Sequence, residues 1–425
     1  MGIYDIIAIL VTVAALFSYI NHRYIKLPRT IGLMALSLVV SFVLISLGSV
    51  EFFTLDEQLV RLLSGVDFYD TLMHGMLGFL LFAGALHVNL DDLREQGVVI
   101  GIMATFGVLV STILVGLLSW TLFILLNIEI PFIYCLLFGA LISPTDPIAV
   151  LGILKKAGAP KKLKTLITGE SLFNDGIGVV VFITILSVAT GSSHSSDHFS
   201  VVKLLVVEAG GGILYGIGLG YLSYTLIKKI DNYHVEVLIT LATVMGGYRF
   251  AETIHVSAPL AIVVAGLMIG NHGRYFGMSD LTRERLDNFW ELIDEILNAV
   301  LFVLIGLEIL VISHKMDMIM VGIMMIPWVL VARFISIGSI IGLARRFTIF
   351  PKGAIRILCW AGLRGGISVA LALSLPQGPE RDLIVTITYC IMAFSILIQG
   401  LSVSTLVVKF SKQEVESNSA APKNL

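Results

Sequence analysis

About thirteen runs of this chain are apolar for long enough to cross the ~30 Å of hydrocarbon in a bilayer. They lie near 3–20, 30–48, 70–89, 97–126, 131–154, 166–190, 201–228, 233–250, 256–271, 287–313, 317–344, 353–375 and 382–410. Hydrocarbon supplies no partner for backbone N–H and C=O groups, so runs of this length are expected to cross as helices. Only 14% of the residues are charged and the mean hydropathy is +0.95, too little charge to cover a soluble domain. The chain reads as an all-α polytopic membrane protein. Segment 51–69 is too polar to span and reads as an amphipathic loop or short surface helix. The polar tail after Phe410 is expected to be disordered.

The formal net charge of −2 carries no sign of a nucleic-acid partner, but the placement of the basic residues is informative. Loops after odd-numbered spans, with the C-terminal tail, hold 21 Lys and Arg, and loops after even-numbered spans hold 5. By the positive-inside rule the N-terminus lies outside and the C-terminus in the cytoplasm. Met1 to Asp5 lacks the basic start of a cleaved signal peptide, so the first span is retained. The short tail and the lack of a targeting peptide point to a prokaryotic inner membrane. Cys135, Cys359 and Cys390 sit in apolar runs without metal-type spacing and read as packing residues.

Within this apolar background one polar stripe stands out. Glu170, Ser171, Asn174, Asp175 and Gly178 share one face of the sixth span. An ionisable residue at that depth costs roughly 2.5–3.5 kcal/mol and is usually kept for an ion pathway or proton relay, the alternative being polar contact between two helices.

Two other spans are interrupted. In the fifth, Ser143-Pro144-Thr145-Asp146-Pro147 places two prolines three apart, which breaks the helix near mid-span. Unwound backbone at that depth is tolerated only inside protein or beside a water-filled cavity. Its freed carbonyls, with Thr145 and Asp146, suit a hard monovalent cation, although a plain proline kink remains open. In the twelfth, Gly362-Leu363-Arg364-Gly365-Gly366 weakens the helix around a fixed positive charge. Arg364 needs a partner, and Glu170 is the candidate; otherwise Arg364 would snorkel to the cytoplasmic face. If spans 1–6 and 8–13 are inverted repeats joined by span 7, the breaks occupy equivalent places, as in transporters with discontinuous helices.

The remaining polar residues are weaker pointers. Glu291, Asp294, Glu295 and Asn298 are expected to open the tenth span, with Glu291 and Glu295 either lining a cytoplasmic funnel or merely solvated. Glu308 is expected to be wet at the outer end. The glycines of span 7, from Gly210 to Gly220, give it a small-residue face for close helix packing. They do not form a phosphate loop, since no Lys-Ser/Thr follows.

Ser143-Pro144-Thr145-Asp146-Pro147-Ile148-Ala149-Val150, Gly169-Glu170-Ser171-Leu172-Phe173-Asn174-Asp175-Gly176 and Gly362-Leu363-Arg364-Gly365-Gly366 together resemble the signature of family-1 monovalent cation/proton antiporters of the prokaryotic NhaP type. Phe289-Trp290-Glu291, Asn298 and Phe302 to Gly306 are similar to that family too, and the resemblance covers nearly the whole chain. It implies two discontinuous helices that cross, a homodimer in lipid, and roles in sodium transport and pH homeostasis. It implies scaffold and dimerisation helices in 1–95, core helices in 96–190, a linker helix and scaffold helices in 201–313, core helices in 317–410, and a short cytoplasmic tail, 411–425. It implies a cation site of Asp175, Asp146, Thr145 and Ser171, a structural Glu170–Arg364 pair, and Asn174 bonding where the helices cross. One departure is that Leu80-Leu81-Phe82-Ala83-Gly84 is apolar where family members often carry an acid.

The expected activity is secondary antiport of Na⁺, or Li⁺, against H⁺, without cofactor and without enzyme chemistry. Burial disfavours a bare carboxylate and a bound cation favours it, so proton and cation would compete for Asp175. With Asn at 174, one carboxylate of the adjacent pair titrates, which predicts electroneutral one-for-one exchange. The alternatives are a K⁺/H⁺ antiporter, an intramembrane aspartyl protease using Asp146 and Asp175, and a passive cation channel.

Overall fold

The structure, a computed structural model, describes residues 3–48, 68–191, 198–273, 279–310, 316–348, 350–351 and 353–419. Among these, thirteen helical passages follow the thirteen apolar runs. They are α1 (Ile3–Ile20), α2 (Arg29–Gly48), α3 (Phe68–Leu86), α4 (Gly97–Leu125), α5a (Phe132–Ile142) with α5b (Ile148–Lys156), α6 (Lys161–Ala189) and α7 (His198–Ile227). Then come α8 (Tyr233–Thr253), α9 (Ala258–Met268), α10 (Asp280–Glu308), α11 (Met316–Ala344), α12a (Ala354–Ala361) with α12b (Gly366–Leu373), and α13 (Pro379–Phe410). Seven helices among the described residues are long and apolar enough to cross a membrane on length and composition alone.

The helix ends follow local chemistry. Ser279 accepts a hydrogen bond from the Thr282 N–H, Asn232 from His234 and Ser257 from Leu260, each satisfying a donor that the first turn leaves open. The Ser279 cap starts α10 at Asp280, so Glu291, Asp294 and Asn298 stand inside that helix and do not open it. The helical conformation of the last passage runs on to Ser419, where disorder was expected. Lys412, Gln413, Glu414 and Glu416 are good helix formers, and no glycine or proline interrupts them. Most of the polar segment 51–69 lies outside the described residues; Phe68 and Tyr69 begin α3.

Apolar packing falls into two clusters. The larger joins α1, α2, α4, α6 and α10 to α13 with parts of α3 and α5. The smaller joins α3, α7, α8 and α9 around Trp290 of α10. Trp290 is fully buried, stacks obliquely on Phe82 at 4.6 Å and donates its Nε1–H to Thr240 Oγ1 at 3.1 Å. The small-residue face of α7 is used as expected for close packing: Gly212, Gly216 and Gly220 lie against Ser257, Ala261 and Ala265 at and along α9.

Candidate ion-binding site

The two interrupted helices cross at their breaks. The unwound segments run antiparallel for one residue pair, and the Asp146 N–H donates to the Leu363 carbonyl at 2.8 Å. Each break leaves a helix end in the protein interior, with unpaired carbonyls at a C-terminus and unpaired N–H groups at an N-terminus. Arg364 answers the first. Its guanidinium donates to the carbonyls of Ser143 (2.7 Å) and Pro144 (3.0 Å), where α5a ends, and so places a cation at the negative end of that helix. Asp146 answers the second, its side chain lying against Gly365 at the start of α12b. A methyl group on Gly365 would come within 2.8 Å of Asp146 Oδ2, so only glycine admits the carboxylate there.

α6 passes directly beside this crossing. A side chain on Gly178 would strike Pro144, and its absence brings the stripe onto the break. The Thr145 N–H donates to Asn174 Oδ1 at 3.3 Å, and Asn174 Nδ2–H donates to Thr145 Oγ1 at 2.9 Å. Thr145 Oγ1 and Ser171 Oγ are hydrogen-bonded at 2.9 Å. Thr145, Ser171 and Asn174 are all buried, and Asp175 is 8% exposed.

A cavity of about 690 Å³ reaches this point. Thr145, Asp146 and Asp175 line it, and Ser171 and Asn174 are hydrogen-bonded to Thr145. It extends to the exposed Lys155 and Lys161. Fourteen residues of helix separate Lys161 from Asp175, a rise of about 21 Å, which puts the carboxylate well inside a bilayer. α3 contributes only apolar wall between Leu72 and Gly84, including Leu80, Leu81 and Ala83.

Three expectations need correction. Glu170 does not pair with Arg364. Its carboxylate takes Arg333 of α11 at 2.5 Å, both side chains almost fully buried, while Arg364 is held by the carbonyls of α5a. Nor does Arg364 snorkel, being 3% exposed. Arg333 was legible as a second charge inside a span; what the sequence lacked was any sign of which arginine the carboxylate would meet. Glu295 is turned out to Arg29, and Asp294 joins Glu291 on the cavity wall in its place. Residues 294 and 295 both share a helix face with 291, so spacing alone could not choose between them. Glu308 is buried, not wet, and its Oε2 has no hydrogen-bond partner among the described residues.

A sequence model described as the transmembrane sodium/hydrogen exchanger matches residues 11–409. This chain belongs to the sodium/hydrogen exchanger family. Members of that family are transporters, not enzymes. The chain is 50% identical to the Na⁺/H⁺ antiporter NhaP of Pseudomonas aeruginosa over 98% of its own length and 99% of that protein's. It is 33% identical to the Na⁺/H⁺ antiporter NhaH of Halobacillus dabanensis, covering 96% and 98% of the two chains. The fold is shared with the sodium proton antiporter MjNhaP1 of Methanocaldococcus jannaschii, with a TM-score of 0.73 over 96% of this chain and 99% of that one, at 19% identity.

Proposed function

We propose that this exchanger carries Na⁺, or Li⁺, in one direction and H⁺ in the other, one for one, by competition of the two for Asp175. The observation that carries the reading is a buried carboxylate on the wall of a cavity, beside two crossing helix breaks. Such breaks in a membrane offer oxygen ligands and oriented helix ends to an ion. Asp146, Thr145 and Ser171 share the ion with Asp175, while Asn174 holds Thr145 in place. Arg364 and Asp146 neutralise the helix ends, and the Glu170–Arg333 pair fastens α6 to α11.

The cavity's basic mouth, by the positive-inside rule, is the cytoplasmic one, with the N-terminus outside in a prokaryotic inner membrane. Alternation would move helices 4–6 and 11–13 against the others, in a homodimer. The deciding experiment is dissipation of a pH gradient in proteoliposomes by added Na⁺, Li⁺ or K⁺. Wild type should respond to Na⁺, and Asp175→Ala should not. Exchange that survives in Asp175→Ala would overturn the reading. A rate that scales with a clamped membrane potential would overturn the one-for-one stoichiometry.

A further inference from the structure

Ser368 is the fourth residue after Arg364 and stands in the first turn of α12b. It is three residues beyond Gly365, hence on the same side of the helix, about one turn deeper from the Asp146 carboxylate. Ser368 is one of the residues around the cavity that Thr145, Asp146 and Asp175 line. It is 1% exposed, and its Oγ has no hydrogen-bond partner among the described residues. A serine in a helix normally turns its hydroxyl back onto a nearby backbone carbonyl or amide. An unpaired buried hydroxyl costs about 1–3 kcal/mol, a cost that calls for a compensating ligand. The next residues on that face, Val369 and Ala372, offer no oxygen. The α3 residues that line the cavity, Leu72, Leu77, Leu80, Leu81, Ala83 and Gly84, offer no side-chain oxygen.

We propose that Ser368 Oγ is a ligand of the transported cation, an oxygen from the twelfth passage in a site whose third-helix wall is apolar. The inference rests on the antiport reading above. It makes a specific statement about charge. A hydroxyl adds an ion–dipole contact without adding a group that titrates near neutral pH. Ser368 therefore strengthens cation binding and leaves proton binding to Asp175 alone.

The test compares wild type, Ser368→Ala, Ser368→Thr and Asp175→Ala in proteoliposomes, over a range of Na⁺ concentrations and pH. Loss of one neutral ligand to a charged ion is expected to raise the apparent KM for Na⁺ in Ser368→Ala roughly tenfold. The pH at which protons begin to inhibit at limiting Na⁺ should stay where it is in wild type. Ser368→Thr, which keeps the hydroxyl, should recover most of the lost affinity. If Ser368→Ala does not fold, Ser368→Cys replaces the hard oxygen at similar volume and carries the same expectation. An unchanged KM in Ser368→Ala, or in its Cys replacement, overturns the proposal. So does an equal loss in Ser368→Ala and Ser368→Thr, which would assign the effect to packing. Asp175→Ala reports separately: activity there would sink the antiport reading itself, whereas activity lost there with KM unmoved at Ser368 sinks only the ligand.

Discussion

Glu170 and Arg333 lie on α6 and α11, 163 residues apart in sequence, and meet at 2.5 Å with almost no solvent around them. Two opposite charges in such a place cancel at long range, but neither can be left alone. Removing one partner of a buried pair costs about 3–5 kcal/mol, because the survivor is buried without compensation. Glu170→Ala and Arg333→Ala are each expected to lower the thermal unfolding temperature of the purified protein sharply. The double variant Glu170→Ala with Arg333→Ala should be milder than the sum of the two. If single and double losses simply add, the pair is not coupled and its structural role falls. At Asp175 the expectation is about affinity, not stability. A cation needs the ionised carboxylate, so below the carboxyl's midpoint each lost pH unit should raise the apparent KM for Na⁺ about tenfold. An apparent affinity that is flat from alkaline to mildly acidic pH would separate proton and cation sites.

The breaks in the fifth and twelfth passages act as one element. Prolines 144 and 147 and the glycines around Arg364 made both interruptions legible in the sequence, since those residues act on the local backbone. The stripe on α6 was legible for the same reason, from spacing alone. The pairing of Glu170 was not, because two buried arginines were available and the choice depends on how α11 packs on α4 and α13, a contact that no local pattern encodes. Arg364 answers to a helix end, and not to a carboxylate, because the broken helix presents carbonyls exactly one crossing away; only the three-dimensional crossing reveals them. This predicts a graded series. Arg364→Lys keeps the charge at the end of α5a but loses the planar guanidinium whose Nη1 donates to both carbonyls, and should keep part of the exchange rate. Arg364→Ala leaves those carbonyls without their donor and should abolish exchange and lower stability. Equal activity in Arg364→Ala and wild type would show that the α5a end needs no cation.

The cavity reaches the exposed Lys155 and Lys161, and α12b, which helps to line it, packs on the Phe68–Met76 stretch of α3, where Phe68, Leu72, Met73 and Met76 are all buried. Under the proposed antiport, this apolar contact would seal the side of the cavity away from the lysines, since a path open at both ends would be a channel. Thr168 lines the cavity and Met73 is buried in the stretch that α12b packs on. In a background without Cys135, Cys359 and Cys390, Thr168→Cys should react with a membrane-impermeant maleimide added on the face of Lys155 and Lys161, and not from the opposite face. Met73→Cys should be inert from both faces in the resting protein and become reactive from the opposite face when an imposed Na⁺ gradient drives turnover. On that reading the seal has to open for the ion to leave, and α12b would be the part that withdraws, because it follows Gly365, which lies against Asp146, and carries Ser368. If Met73→Cys stays inert while exchange runs, the ion leaves by a route that does not pass between α3 and α12b.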